Sequence, residues 1–204
     1  MDINNFHRKM VKESKHPFFI RVILLTVSSW LFQGLLYMDK TERIFKISLD
    51  IMIFTIFYIY ISSYLNPVQS LLISIISAHT INWVFNGQIF VLVKNLGFAR
   101  NEYQDFNKYL EKFYQRAKKE DCILLVATIG SIAREELKET SDLDIRVIRE
   151  QGFSSGIKTC VFILKERSRA FLARFPLDIY LLDTDVELSK LGENPVIIYK
   201  KENS

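Results

Sequence analysis

The sequence predicts an α+β protein in two parts: an all-helical, membrane-embedded region over residues 18–93 and a small mixed-sheet region of strands and helices over 121–204. Three observations lead there. Residues 18–93 are mostly apolar and aromatic, while most of the charge lies in 1–17 and 94–204. Inside the first part, three apolar runs follow one another, each near the ~20 residues that span a bilayer. Beyond residue 121, short apolar runs alternate with longer amphipathic ones, as strands and helices do in turn. A length of 204 residues allows one ordinary domain plus such an appendage.

Residues 1–17 form a basic segment with Arg8, Lys9, Lys12 and Lys15. Pro17 suits the first position of a helix and opens the first apolar run, Phe18 to Met38, whose most polar members are Arg21 and Gln33. No small-residue cleavage site follows, so an uncleaved membrane segment is expected rather than a signal peptide. Asp39 to Arg43 is a short charged loop before the second run, Ile44 to Leu65, which carries Lys46 and Asp50 near its start. Asn66-Pro67 signals a turn, and the third run is Val68 to Val93. His79, Asn82 and Asn86 fall on one face of that run. Polar groups at membrane depth must face protein or a cavity. Two readings stand for this face: hydrogen bonding between helices of the bundle, or a grip on a lipid-linked or polar acceptor. A soluble helical bundle is the alternative to two or three membrane helices.

The turn between the second and third runs is uncharged, and Lys and Arg flank the pair on its other side. By the positive-inside rule the pair forms a hairpin with both ends in the cytoplasm, which places residues 94–204 there. With three full spans the basic N-terminus would lie outside, against the same rule. Either the first run then lies in the interface or re-enters, or its charges are overruled.

Residues 94–120 read as an amphipathic connector. Tyr103, Phe106, Leu110, Phe113 and Ala117 recur at helical steps between Asn101 and Lys118, and are expected to pack on the sheet or on the membrane surface. The remainder predicts a strand over Cys122–Ile129, a helix over Ser131–Lys138, and a strand over Ser141–Arg149. A helix over Gly156–Arg174 follows, capped by Ser155, with Ile157, Cys160, Val161, Leu164 and Phe171 on one face; Thr159–Leu164 could instead be a strand. Pro176 ends that element. A strand over Leu177–Asp183, a short helix over Val186–Leu191 closed by Gly192, and an edge strand over Val196–Tyr199 complete the chain.

The stretch Thr128 to Arg146 is the chemically suggestive one. A turn at Gly130-Ser131 ahead of a helix offers backbone N–H groups and a hydroxyl to phosphate. On a strand, Asp142, Asp144 and Arg146 share one face, with Leu143, Ile145 and Val147 on the other. Two carboxylates held ~6–7 Å apart in this way suit Mg²⁺. A phosphate cradle followed by a metal-binding pair suggests chemistry on a nucleoside triphosphate. The plain alternative is a loop with solvated acids.

Gly130-Ser131, a ten-residue spacer and Asp142-x-Asp144, with Arg134 after the turn and Ser141 before the acids, resemble the signature of the DNA polymerase β-type nucleotidyltransferase superfamily, above all its minimal members. The resemblance covers roughly residues 122–200 and implies a small mixed-sheet domain. It also implies a third carboxylate on a later strand, the place taken by Asp178 at the head of an apolar run. Its further implications are a two-ion Mg²⁺ site on Asp142, Asp144 and Asp178, and an NTP held by Gly130, Ser131, and Arg134 or Arg146. Asp178 would serve the acceptor side and help deprotonate the hydroxyl. The helical domain that often binds the acceptor has no counterpart after Asp178, so the N-terminal half, the membrane or a partner protein is expected to present it. The implied reaction is nucleotidyl transfer to a hydroxyl or phosphate. The alternatives are modification of a partner protein, as in antitoxin-like members, and a non-catalytic nucleotide-sensing or scaffold subunit.

A net charge of +4, dispersed along the chain, argues against a nucleic-acid groove. Cys122 and Cys160 show neither zinc spacing nor a disulfide framework and read as buried thiols. Glu135, Glu136 and Glu139 read as a solvated face. Lys158, Lys165, Arg167, Arg169 and Arg174 read as another, or as contacts for phosphate headgroups.

Overall fold

The computed structural model describes residues 17–35, 38–86, 102–139, 141–191 and 194–201. The basic segment over 1–16, the end of the third apolar run, the start of the connector and the closing Gly192 lie outside them. The elements in order are helix α1 (Phe18–Phe32), α2 (Lys40–Ile61), α3 (Pro67–Phe85) and α4 (Tyr103–Ala117), strand β1 (Ile123–Ile129), helix α5 (Gly130–Ala133) and strand β2 (Leu143–Arg149). Helix α6 (Phe153–Leu172), strand β3 (Leu177–Leu182), helix α7 (Asp185–Ser189) and strand β4 (Val196–Lys200) follow. The protein is α+β, with a four-stranded mixed sheet in the order β3-β2-β1-β4 among the described residues. β1 is antiparallel to β2 and β4, and β2 is parallel to β3 through the α6 crossover.

The first apolar run is cut short. Gln33 turns left-handed at φ 46° and donates its N–H back to Ser29 O at 2.9 Å, and Gly34 follows at φ 72°. That left-handed ending leaves 15 helical residues, or ~22 Å of rise against a hydrocarbon core of ~30 Å. Two helices, α2 and α3, are long and apolar enough to cross a membrane by length and composition. The Asn66 side chain caps α3 by accepting from Gln69 N at 3.0 Å, with Pro67 at its first position.

The polar face of α3 bonds to its neighbours. The His79 ring lies 2.9 Å from Asp50 Oδ2 on α2 and 3.0 Å from Trp30 O on α1. Asn82 donates to Asp50 Oδ1 at 2.8 Å and to Lys46 O at 3.2 Å, and Asn86 accepts from Arg167 of α6 at 3.1 Å. The first turn of α2, expected as a loop, is helical and docks on the β3 edge. Glu42 accepts from Leu181 N at 2.9 Å and pairs with Arg167 at 2.6 Å, while Asp39 accepts from Asp183 N at 2.7 Å. An edge strand's open N–H groups are thereby occupied.

Four further expectations are corrected. The helix over Ser131–Lys138 is a single turn. Glu135 takes φ 58°, Glu136 N bonds Ser131 O at 2.8 Å and Glu135 N bonds Ile132 O at 3.1 Å, a closure that stops the helix despite its polar, helix-favouring sequence. Ser155 does not cap α6, because the helix already starts at Phe153 after Gly152 at φ 115°; Thr159–Leu164 is helical. The buried side of α6 is Gly156, Thr159, Cys160, Phe162, Ile163, Glu166, Arg167 and Ala170 rather than the Ile157–Val161–Leu164 stripe. α6 touches α2, α3 and the sheet, and it bonds α4 through Glu166, which accepts two hydrogen bonds from Arg116 at 2.7 Å each. Several neighbours demand more than one apolar stripe. Arg167, read above as part of a wet face, is consequently buried.

The pleat decides where a site can be. Leu143, Ile145 and Val147 of β2 and Ile179 and Leu181 of β3 are buried in one core with Phe106 and Phe113 of α4, Ile163 of α6 and Phe175. Tyr109 stacks on Phe175 with ring centres 4.2 Å apart, so the connector helix packs within this domain. Both cysteines are free and buried there, and burial pushes the Cys160 thiol up to about 12. Helices thus consume one face of β2 and β3. Asp144, Arg146, Asp178 and Tyr180 alternate with the core residues and stand on the other face.

Candidate functional site

Three neighbouring strands bring the site together. Ile129, the last residue of β1, is the register partner of Asp144, and Asp144 is the register partner of Asp178 on β3. In-register residues on adjacent strands stand ~4.8 Å apart and point to the same face, so Asp144 and Asp178 are side by side. Asp142 lies just ahead of β2 rather than on it. The pair held rigidly by the sheet is therefore Asp144 with Asp178, not Asp142 with Asp144.

The chain leaves β1 through Gly130 at φ 71°, against the Asp144 carboxylate. A Cβ there would fall 2.2 Å from Asp144 Oδ2, so both the backbone conformation and the space require glycine. The next hydroxyl, Ser131 Oγ, is buried and has no hydrogen-bond partner among the described residues. An orphaned buried hydroxyl costs about 1–3 kcal/mol and persists where something else supplies its partner.

The electrostatics run against the acids. Burial first, then the charges of Asp178 and Asp142, push Asp144 up to about 9, with Arg146 opposing them only in part. The Arg146 guanidinium lies 3.5 Å from Asp178 Oδ2, donates to Asp178 O at 3.3 Å and to Ile145 O at 2.9 Å, and sits over the Tyr180 ring at 5.0 Å. Arg134 lies at the rim in the turn after α5, exposed and paired with Glu136 at 3.3 Å.

Gly130, Ser131, Asp142, Asp144, Arg146 and Asp178 are thus gathered at the β1–β2–β3 end of one sheet face. Tyr180 was not among the residues singled out from sequence. The signal for it was present, since two residues after Asp178 on a strand is the same face. Among the described residues no three His, Cys, Asp or Glu side chains are arranged to hold a metal ion. Carboxylate oxygens are nonetheless the donor type a hard divalent cation takes, and Asp144 has two acidic neighbours, Asp178 and Asp142. No family model and no curated protein matches this chain.

Proposed function

We propose that this chain is a membrane-anchored, Mg²⁺-dependent nucleotidyltransferase that moves a nucleoside monophosphate from an NTP onto a hydroxyl or phosphate acceptor. The observation that carries the reading is the seat of the Gly130 turn against Asp144, with Asp178 in register beside it. It joins a close backbone approach to an acidic cluster whose repulsion Arg146 offsets only in part. Such a juxtaposition has little structural use, because a fold gains nothing from like charges in a half-buried site.

In this reading the acceptor oxygen attacks the α-phosphorus, the bond to the bridging oxygen breaks, and pyrophosphate leaves. The backbone at Gly130-Ser131 and the Ser131 hydroxyl donate to the phosphate oxygens, and Arg146 and Arg134 offset charge on the triphosphate. Asp178 accepts the acceptor's proton, or shares it, once Arg146 swings from it to the phosphates. Asp142, Asp144 and Asp178 would hold Mg²⁺, which supplies Lewis-acid stabilisation of the attacking and leaving oxygens.

Helices α2 and α3 are read as the membrane hairpin, with both ends and the sheet domain in the cytoplasm. The short α1 is read as an interfacial or re-entrant piece. The acceptor is then a molecule the membrane or a partner presents. A non-catalytic nucleotide sensor is the second reading, favoured by the contact of Arg146 with Asp178, which already gives that acid a counter-charge.

The test is incubation of the full chain in membranes with Mg²⁺ and each α-labelled NTP, beside Asp144→Asn. Label in lipid, glycan or protein that disappears by 100-fold or more (roughly the loss expected for removing a metal-holding group) supports transfer. Mg²⁺-dependent nucleotide binding without transfer would establish the sensor. Loss of both binding and transfer in the unmodified chain would overturn both.

A further inference from the structure

Away from the acidic cluster, α2, α3 and α6 enclose a groove of about 540 Å³. Its floor is apolar: Leu49, Met52 and Ile53 come from α2, and Ile81 and Phe85 from α3. These are residues of the two helices long and apolar enough to cross a membrane. Asn82 also lines it, but its amide is committed to Asp50 and Lys46. The α6 wall changes character along its length, from Leu164 to Lys165, Ser168 and Arg169.

Lys165 and Arg169 are four residues apart and so lie on one side of α6. Both are exposed, and Lys165 makes no hydrogen bond or ion pair among the described residues. Arg169 contacts Glu166, but that buried carboxylate already takes two hydrogen bonds from Arg116. Two guanidiniums on one acid, with a lysine beside them, leave the mouth of the groove net positive. Ser168 donates to Leu164 O at 2.9 Å and so adds no donor of its own.

An apolar trough ending in two cations, placed where a soluble sheet domain meets its membrane hairpin, matches a molecule with the same division. We infer that the groove binds one anionic phospholipid, an acyl chain lying along Leu49, Met52, Ile53 and Phe85 and the phosphate held by Lys165 and Arg169. Free phosphate would leave the apolar floor uncovered. A zwitterionic lipid would bring its own cation to the lysine. The lipid pins α6 to the hairpin at the level of the headgroups. Because α6 also holds β3 through Arg167, which donates to Ile179 O, the sheet domain is thereby held at a set height above the bilayer. The inference rests on the hairpin entering the membrane and is independent of the chemistry at Asp144.

The experiment is native mass spectrometry of the full chain released from mild detergent, loaded with phosphatidylglycerol or phosphatidylcholine of identical acyl chains. Vesicle flotation is run on the same samples. One retained phosphatidylglycerol per chain is expected, with Lys165→Gln/Arg169→Gln lowering its retention about 30-fold, at ~1 kcal/mol for each of the two surface cations, while flotation persists. Met52→Trp, which fills the trough, should remove bound lipid of either kind with the far-ultraviolet circular dichroism unchanged. Equal retention of both lipids by the unmodified chain and both variants would mean annular lipid only and overturn the proposal. Failure of the unmodified chain to float would overturn the membrane reading, and the lipid site with it.

Discussion

β3 lies between two groups of acids built in opposite ways, one buried and one half-buried. On its outer edge Glu42 pairs with Arg167 at 2.6 Å and accepts from Leu181 N at 2.9 Å. On its inner side Asp178 stands in register with Asp144, and the surrounding acids raise Asp144 rather than stabilise its charge. The first group is complemented, as a structural ion pair must be to offset the desolvation of two ions. In the second, Arg146 lies 3.5 Å from Asp178 but offsets the acidic neighbours of Asp144 only in part. Glu42 is thus held by a partner of opposite charge, whereas Asp144 stands beside acids that disfavour its ionised form.

The largest effect expected from breaking this contrast is on the complemented side. Arg167→Met leaves the Glu42 charge buried without its partner and should cost about 3–5 kcal/mol, read as a drop in the chemical-denaturation midpoint of the detergent-solubilised chain. Arg167→Met with Glu42→Gln should recover most of that loss. An additive double variant would show that the pair is not the docking element.

Gly130→Ala comes next. It places a methyl 2.2 Å from Asp144 Oδ2 at a left-handed φ, so the turn must shift. About 1–3 kcal/mol of destabilisation is expected, together with loss of Mg²⁺-dependent nucleotide binding. Unchanged binding would detach the turn from the site.

The acidic side should respond to pH with a definite sign. Asp144 is pushed up to about 9 by burial and its acidic neighbours, and Asp39 to about 7 by burial and its hydrogen bond with Glu187. In the unfolded chain each titrates near ~4. The unfolded state therefore releases these protons first, and stability falls as pH rises from ~4 towards about 7 for Asp39 and about 9 for Asp144. Thermal unfolding should show a midpoint declining between pH 5 and pH 9. Asp144→Asn should flatten its upper half and Asp39→Asn its lower half. A midpoint that rises over this range would contradict the arrangement of both groups. Mg²⁺ should counter the upper decline if it displaces the Asp144 proton.

The smallest effect is expected at Arg134, exposed and paired only loosely with Glu136. Arg134→Ala should leave stability within ~0.5 kcal/mol while weakening nucleotide affinity more than it lowers turnover at saturation.

Much of this was legible in the chain. Alternation of Leu143, Ile145 and Val147 with Asp144 and Arg146 predicted both the strand and its two faces, because a period of two leaves a pleated strand no choice. Asp178 is picked out through the resemblance, at the head of an apolar run, and the structure puts it on the face opposite Ile179. Glycine at 130 signalled a tight turn. The polar face of α3 was visible as His79, Asn82 and Asn86 at helical spacing, and its partners turned out to be neighbouring helices.

What sequence alone determined, then, is periodic: which segments are helix or strand, which side of a strand is polar, and which helices are apolar enough for a membrane. Tertiary structure decided the matters that depend on partners distant in the chain. It cut the first apolar run at Gln33, whose side-chain amide donates to His79 O and whose carbonyl accepts from Lys46. It took Arg167 out of a basic stripe and buried it on Glu42, 125 positions away in the numbering. It also chose Asp178, rather than Asp142, as the strand-borne neighbour of Asp144, because a parallel register arises only when the α6 crossover brings β3 beside β2.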